Sequence, residues 1–291
     1  MRKLTFSAPL ELLDALSGAL FSAGAQGLQE GPGTLTVYVT SADEEQNLTQ
    51  AAYQLNDTLD PEHEMVSLLT EDVDDSWQDT WQQALSAIAV TERWTLRPTH
   101  QAPAPEGEDT IWFQPHASFG DGSHPTTQLA ASAVVSALHA QAKQATGVHL
   151  LDLGAGNGVL SLVALKEAAL RGIALSRVLA IDIDEVAIHS LQQNLALNQL
   201  SPDALTFRLG RLEQADGLFE IIVANINIPV LMDVARDLTA HLAPSGVLLL
   251  TGLLVEDEPQ ITACYRALGL TLMRSQRKGE WSLLSFTHGE N

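Results

Sequence analysis

Residues 148–165, VHLLDLGAGNGVLSLVAL, restrict the fold more than any other stretch: an apolar strand enters three closely spaced glycines and leaves as a helix. Val148, Leu150, Leu151 and Leu153 read as a strand buried on both faces, as in a parallel sheet. Gly154, Gly156 and Gly158 carry no Cβ, so the chain can turn there with positive φ and its backbone can approach a ligand closely. Such a strand, turn and helix open a doubly wound sheet and read as a nucleotide cradle.

Which nucleotide it holds depends on the neighbouring acids. The spacing is G-x-G-x-G rather than G-x-G-x-x-G, and the next apolar strand, VLAIDID, delivers Asp182 where a carboxylate accepts from both hydroxyls of a ribose. An intact ribose diol fits NAD, FAD or S-adenosylmethionine; a 2′-phosphate would be repelled. Asp152, two positions before Gly154, favours the last of these. A carboxylate there meets the ammonium of a methionine moiety, directly or through water, and NAD has no such group. The plainer alternative is a solvated carboxylate at a strand end.

Composition narrows the partners. Among 291 residues, 15 basic against 36 acidic side chains give a formal charge of −21. Such a surface repels nucleic acid and anionic lipid and attracts a basic partner, unless its role is solubility alone. The single cysteine, Cys264, permits no internal disulfide and has no partner at metal-ligand spacing, so a reducing cytoplasm is expected and no metal is. Leu10, Leu13, Leu16 and Leu20 recur at helical spacing with Glu11 and Asp14 between them, which reads as an amphipathic helix rather than a signal peptide. The longest apolar run, VLLLTGLLV at 247–255, is too short to span a bilayer, and no membrane association is expected.

Three regions follow along the chain. Residues 1–74 show a β-α-β-β-α-β pattern and read as a small ferredoxin-like α+β domain. Residues 75–98 read as a helical linker in which Trp77 and Trp81, four apart, share a face. Residues 99–291 read as the ligand-binding domain, with strands expected near 148–153, 178–183, 205–209, 219–225, 246–252, 269–274 and 282–287. The connection SQRKGE before the last strand is too short for a crossover, so that strand must run antiparallel to the one before it. A Rossmann-like sheet with an antiparallel last strand is the class I methyltransferase architecture, which supports S-adenosylmethionine a second time.

Several further side chains are expected at the C-terminal edge of this sheet. The strand FEIIV brings Asn225 and Asn227 beside the glycine turn. The carbonyl oxygen of Asn225 suits an incoming amine, accepting its N–H so that the lone pair faces a methyl group. Asn227 is equally well a turn residue. Asn194 and Asn198, four apart on the helix after Asp182, read as hydrogen-bonding struts rather than ligands. The segment ASFGDGSHPTTQLA places Phe119 among the apolar residues around the amine, with Ile226 and Ile228, and puts Thr127 in the first turn of a helix. His124 in that segment is either a general base or, the commoner case, a loop histidine bonded to backbone.

The motifs FGDGSHPTT, LDLGAGNGVLSLVAL, AIDIDEVAIHSLQQN, VANIN and SGVLLLTGLL occur here in the order found in bacterial methyltransferases of the eleventh large-subunit ribosomal protein, and the W-x-x-x-W segment after a small ferredoxin-like domain also resembles that family. The resemblance spans essentially the whole chain. It implies S-adenosylmethionine contacts at Thr127, Gly154, Asp182 and Asn225, to which the glycine turn and its acid add Gly156 and Asp152. It further implies that the first domain docks the substrate protein and that lysine ε-amines and the N-terminal α-amine are methylated. Three positions depart from the family pattern: Asp121 for threonine, Asn227 for an apolar residue and Ala155 for cysteine. They leave open a methyltransferase of the same family acting on another protein or a small molecule. The charge favours a basic ribosomal protein taken free rather than assembled on RNA.

Overall fold

The computed structural model describes residues 2–9, 12–25, 28–39, 41–59, 66–72, 86–101, 103–114, 122–144 and 146–289. The chain divides into two units, Met1–Gln83 and Ala84–Asn291.

In the first unit β1 (Arg2–Ser7), α1 (Leu13–Ser22), β2 (Gln29–Gly31), β3 (Thr34–Val39), α2 (Ala42–Leu59) and β4 (Ser67–Asp72) follow one another. The sheet order is β2-β3-β1-β4, with β1 antiparallel to both β3 and β4, which is the ferredoxin-like arrangement. Period-two alternation sends Leu4, Phe6, Leu35, Val37 and Val39 to one face, where they bury against Leu16, Leu20, Leu48 and Ala52 of the helices. Ser41 starts α2 through a capping box: its hydroxyl accepts from Glu44 N at 3.1 Å, and the Glu44 carboxylate accepts from Ser41 N at 3.2 Å.

The second unit begins with a small sheet, β5 (Ile88–Ala89), β6 (Trp94–Pro98) and β7 (Asp109–Phe113). Here the expected helical linker needs correction. Residues 88–89 and 94–98 are strands, and they belong to the larger unit rather than to a connector. Trp94 and Leu96 alternate with Thr95 and Arg97, so their period is two and they point into the core beside Ile111 and Phe113. Residues 75–85, with Trp77 and Trp81, lie outside the described residues.

The main elements then alternate: α3 (Pro125–Gln141), β8 (Val148–Leu153), α4 (Val159–Arg171), β9 (Leu175–Asp182), α5 (Glu185–Leu197), β10 (Thr206–Leu209), β11 (Phe219–Asn225), α6 (Ile228–Asp233), α7 (Ala235–His241), β12 (Leu242–Leu254), α8 (Glu258–Ala267), β13 (Leu270–Lys278) and β14 (Trp281–His288). The seven-stranded order is β10-β9-β8-β11-β12-β14-β13. Neighbouring strands pair in parallel except β14, which is antiparallel to both β12 and β13. The order reverses between β8 and β11, and a ligand crevice is expected there, outside the strand C-termini.

Both faces of the sheet are covered. Leu150, Ala180, Ile221, Val223 and Leu249 pack with α3, α4 and the small sheet. Leu151, Ile181, Ile222, Ala224 and Leu250 pack with α6, α7 and α8 through Leu231, Leu238, Ile261 and Tyr265. Each of the leucines, isoleucines and valines so removed from water contributes about 1.5–3 kcal/mol. Asn194 and Asn198 are the struts that the sequence suggests. Asn194 Oδ1 accepts from Gln114 N at 2.8 Å, and Asn198 Oδ1 accepts from Trp112 N at 2.9 Å, so α5 satisfies the backbone of β7.

Candidate active site

Every glycine of the turn after β8 has positive φ: 72° at Gly154, 52° at Gly156 and 81° at Gly158. Gly154 is also sterically fixed, since a Cβ there would stand 2.3 Å from the Ile226 side chain. The turn is tied to the next strand, with Gly154 N donating to Ile181 O at 2.9 Å. Asn194 Nδ2 donates to Asn157 O at 2.9 Å and braces the turn from α5.

Asp182 ends β9 beside this turn. One carboxylate oxygen accepts from Gly156 N at 2.7 Å and the other from Asp184 N at 3.0 Å. Each oxygen thus retains acceptor capacity on a partly open side chain. Ile183, next along, is 72% exposed and places a bare apolar side chain beside the carboxylate. The residues alone gave no reason to single out Ile183; an apolar residue that has just left the sheet after a strand-end acid was the available signal.

Asp152 is fully buried, which excludes the reading as a solvated strand-end carboxylate. Its Oδ2 accepts from Ser161 Oγ at 2.7 Å and from Ser161 N at 3.2 Å, while Oδ1 has no hydrogen-bond partner among the described residues. Burial pushes its carboxyl up to about 6; the Ser161 bonds oppose that shift and the nearby Asp182 charge adds to it.

Asn225 stands at the tip of β11, one residue beyond Ala224, which is in register with Leu153 of β8. It therefore lies across from the glycine turn. Among the described residues its side-chain amide takes part in no hydrogen bond, so it is not consumed by its own turn. Asn227 has the other role: as N-cap of α6, its Oδ1 accepts from Val230 N at 3.2 Å. Thr127 is buried in the first turn of α3.

His124 is the N-cap of α3. Its Nδ1 lies 2.7 Å from Thr126 Oγ1, and its ring meets Trp281 edge-on at 4.5 Å between centroids. Because Trp281 pairs with Leu254 at the C-terminal end of β12, the start of α3 sits at the same sheet edge as the turn. A capping ring held in this way has a structural task, not that of a base. Phe119 and Asp121 lie outside the described residues.

Comparison with known proteins places this edge in a family. Residues 17–289 match the family model of ribosomal protein L11 methyltransferases. The chain belongs to the ribosomal protein L11 methyltransferase family. The enzyme of that name from Geobacter metallireducens is 34% identical over 218 residues, 75% of this chain and 68% of that protein. The one from Myxococcus xanthus is 29% identical over 290 residues, covering 96% of this chain and 95% of its own. A solved ribosomal protein L11 methylase from Lactobacillus delbrueckii shares the fold, with a TM-score of 0.59 and 24% identity over 71% of this chain and all of its own. As a member, the protein is an S-adenosylmethionine-dependent methyltransferase.

Proposed function

We propose that this L11 methyltransferase family member transfers methyl groups from S-adenosylmethionine to lysine ε-amines and the N-terminal α-amine of ribosomal protein L11, taken as the free protein in the cytoplasm. The observation that carries this reading is the Asn225 amide across from the glycine turn, unpartnered among the described residues. An amide at that place accepts an N–H from a neutral amine, whereas a carboxylate would hold an ammonium in its unreactive form.

The residues present fit the cofactor. Asp182 keeps acceptor capacity for the ribose diol, and Ile183 offers apolar surface for an adenine ring. The buried, unpartnered Asp152 Oδ1 calls for a donor, which a methionine ammonium provides. Gly154 and Gly156 let the backbone pass close beneath, and Thr127 lies in the first turn of the helix at the same edge. Bound there, S-adenosylmethionine supplies a methyl group already activated on a sulfonium. The protein's part is alignment and desolvation: Asn225 orients the amine, while Ile226 and Ile228 disfavour its charged form. A free lysine amine titrates at about 10.4 and an α-amine at about 7.7–8, so the lysine needs the apolar surroundings more.

The charge of −21 supports a basic protein substrate and disfavours RNA. Among the described residues, no helix is long and apolar enough to cross a membrane. The ferredoxin-like unit is assigned to substrate docking, and the larger unit to the cofactor. The test is incubation of the full chain with labelled S-adenosylmethionine and either free ribosomal protein L11 or assembled ribosomes at equal concentration, followed by mass spectrometry. Methylated lysines and N-terminus appear chiefly in the free protein; equal rates would refute the preference for it. Labelling of some other band in a whole lysate, with L11 unlabelled, would point to a different substrate.

A further inference from the structure

We propose that Ser161 is a positioning residue for the cofactor, holding one oxygen of Asp152 so that the carboxylate stays ionised and its other oxygen faces the methionine ammonium. This rests on the assignment of Asp152 to that ammonium. Ser161 lies in the first turn of α4, is itself fully buried, and grips Oδ2 twice, through its hydroxyl at 2.7 Å and its backbone N–H at 3.2 Å. The grip fixes the side chain with Oδ1 left unpartnered.

Among the described residues, the neighbouring strands supply no charge that stabilises it. In the sheet Asp152 is in register with Ala180 of β9 and Val223 of β11, both uncharged. Among the described residues, the charged neighbour that acts on it is Asp182 at the tip of β9, and that repels. Without a ligand, the carboxyl therefore titrates near 6, with Ser161 pulling it down against burial. An arriving ammonium brings both a donor and a positive charge, and each favours the ionised form.

Binding is thus linked to proton release. Near pH 6 a fraction of the free protein carries a proton on Asp152; on binding, that O–H bond is lost, the proton passes to buffer, and an N–H···O bond to the ammonium replaces it. The sign follows directly. The ligand selects the deprotonated carboxyl, so affinity falls by up to tenfold per pH unit below about 6, until the carboxyl protonates in the complex as well; it is level above that only until the ligand's own α-ammonium begins to lose its proton, at about 7.7–8. Ser161→Ala removes the hydroxyl that favours ionisation. Its acid break in affinity moves to higher pH, so the loss relative to wild type at the same pH is on the order of tenfold at pH 7 and closes towards pH 8.5.

The experiment is titration calorimetry of the full chain between pH 5 and 8.5, in two buffers of different ionisation enthalpy. One ligand is S-adenosylmethionine and the other 5′-methylthioadenosine, which keeps the ribose and adenine but lacks the ammonium. S-adenosylmethionine is expected to release a proton near pH 6 and methylthioadenosine not to. Ser161→Cys, similar in size with a weaker donor, should fall between wild type and Ser161→Ala. Equal heats in both buffers, or a Ser161→Ala loss of the same factor at every pH, would overturn the role of Ser161 while leaving the cofactor in place. Wild-type affinity in Asp152→Asn at pH 7 would instead remove the ammonium contact itself.

Discussion

Two buried carboxylates on one βα unit are treated in opposite ways. Asp152, at the end of β8, has one oxygen bonded and one orphaned, and its carboxyl is raised to about 6. Glu167, two turns further along α4 than Ser161, is as deeply buried, yet both of its oxygens are taken. Trp94 Nε1 donates to Oε2 at 2.7 Å; His139 Nε2 and Arg171 Nε donate to Oε1 at 2.7 and 3.1 Å. Burial drives the Glu167 carboxyl upward, but the three donors together outweigh it and hold it below the usual range. A carboxylate that serves the fold is saturated by the fold. One left short among the described residues, at the edge where the strand order reverses, is the acid we propose a ligand completes.

If that contrast is right, damage at the sheet edge should cost function with little cost to folding, and damage to the saturated knot the reverse. The largest effect expected is on Asp182. Asp182→Ala would remove the two ribose contacts proposed for it, each worth about 1.5 kcal/mol or more to a charged acceptor, so the calorimetric Kd for S-adenosylmethionine should rise at least ~100-fold. Its melting temperature should stay near wild type. Undiminished affinity would break the assignment of this edge. Asn225→Ala comes next. It would remove the oriented hydrogen bond proposed to the amine, and turnover should fall about 10- to 100-fold in a single-turnover methylation assay. Cofactor affinity should change by less. A loss confined to cofactor affinity would move Asn225 from the amine to the cofactor alone.

Glu167→Ala tests the other side of the contrast. It leaves the Trp94 indole N–H buried without an acceptor and frees His139 and Arg171, at a cost of about 2–3 kcal/mol in unfolding free energy by denaturant titration. Cofactor affinity of the folded fraction should not change. A stability loss from Asp152→Asn as large as that from Glu167→Ala would erase the distinction between the two acids.

Much of the edge was legible because a parallel sheet writes its strands as apolar runs. All seven expected strands of the large sheet are present, from Val148–Leu153 to Trp281–His288, and β14 is antiparallel to β13 as expected, but SQRKGE is not all turn: Ser275–Lys278 continue β13 and only Gly279 and Glu280 connect the two strands. The small sheet of β5 to β7 was less legible. Its strands are two to five residues long, and their partners are backbone groups and the side chains of Asn194 and Asn198, some 80 residues away. Asp152 was visible as an acid, but its burial was not. Only the fold reveals its full burial and the two bonds by which Ser161 holds one oxygen. The same holds for His124, whose ring is committed to Thr126 and Trp281 by contacts that no local pattern encodes.

Glu258 extends the saturated class to a second place and predicts the smallest effect. At the start of α8 it accepts from Arg277 Nε and a second guanidinium nitrogen, both at 2.8 Å, and from the hydroxyls of Ser275 and Ser282 at 2.9 and 2.6 Å. The Arg277 bonds, more than the opposing burial, bring its carboxyl down to about 2. A depressed carboxylate stabilises the fold above its unfolded pKa, and that contribution disappears as pH falls through the folded value. The window is therefore from about pH 4.5 to pH 2. Arg277 is more than half exposed, so solvent screens the pair and its contribution to stability is small. Glu258→Gln should lower stability by a small amount at pH 7 and by less at pH 3, flattening the acid arm of a stability-against-pH curve. Cofactor affinity at pH 7 should be untouched, since every donor to Glu258 comes from β13 and β14. A parallel loss of cofactor affinity would mean that this knot supports the sheet edge as well as the hairpin.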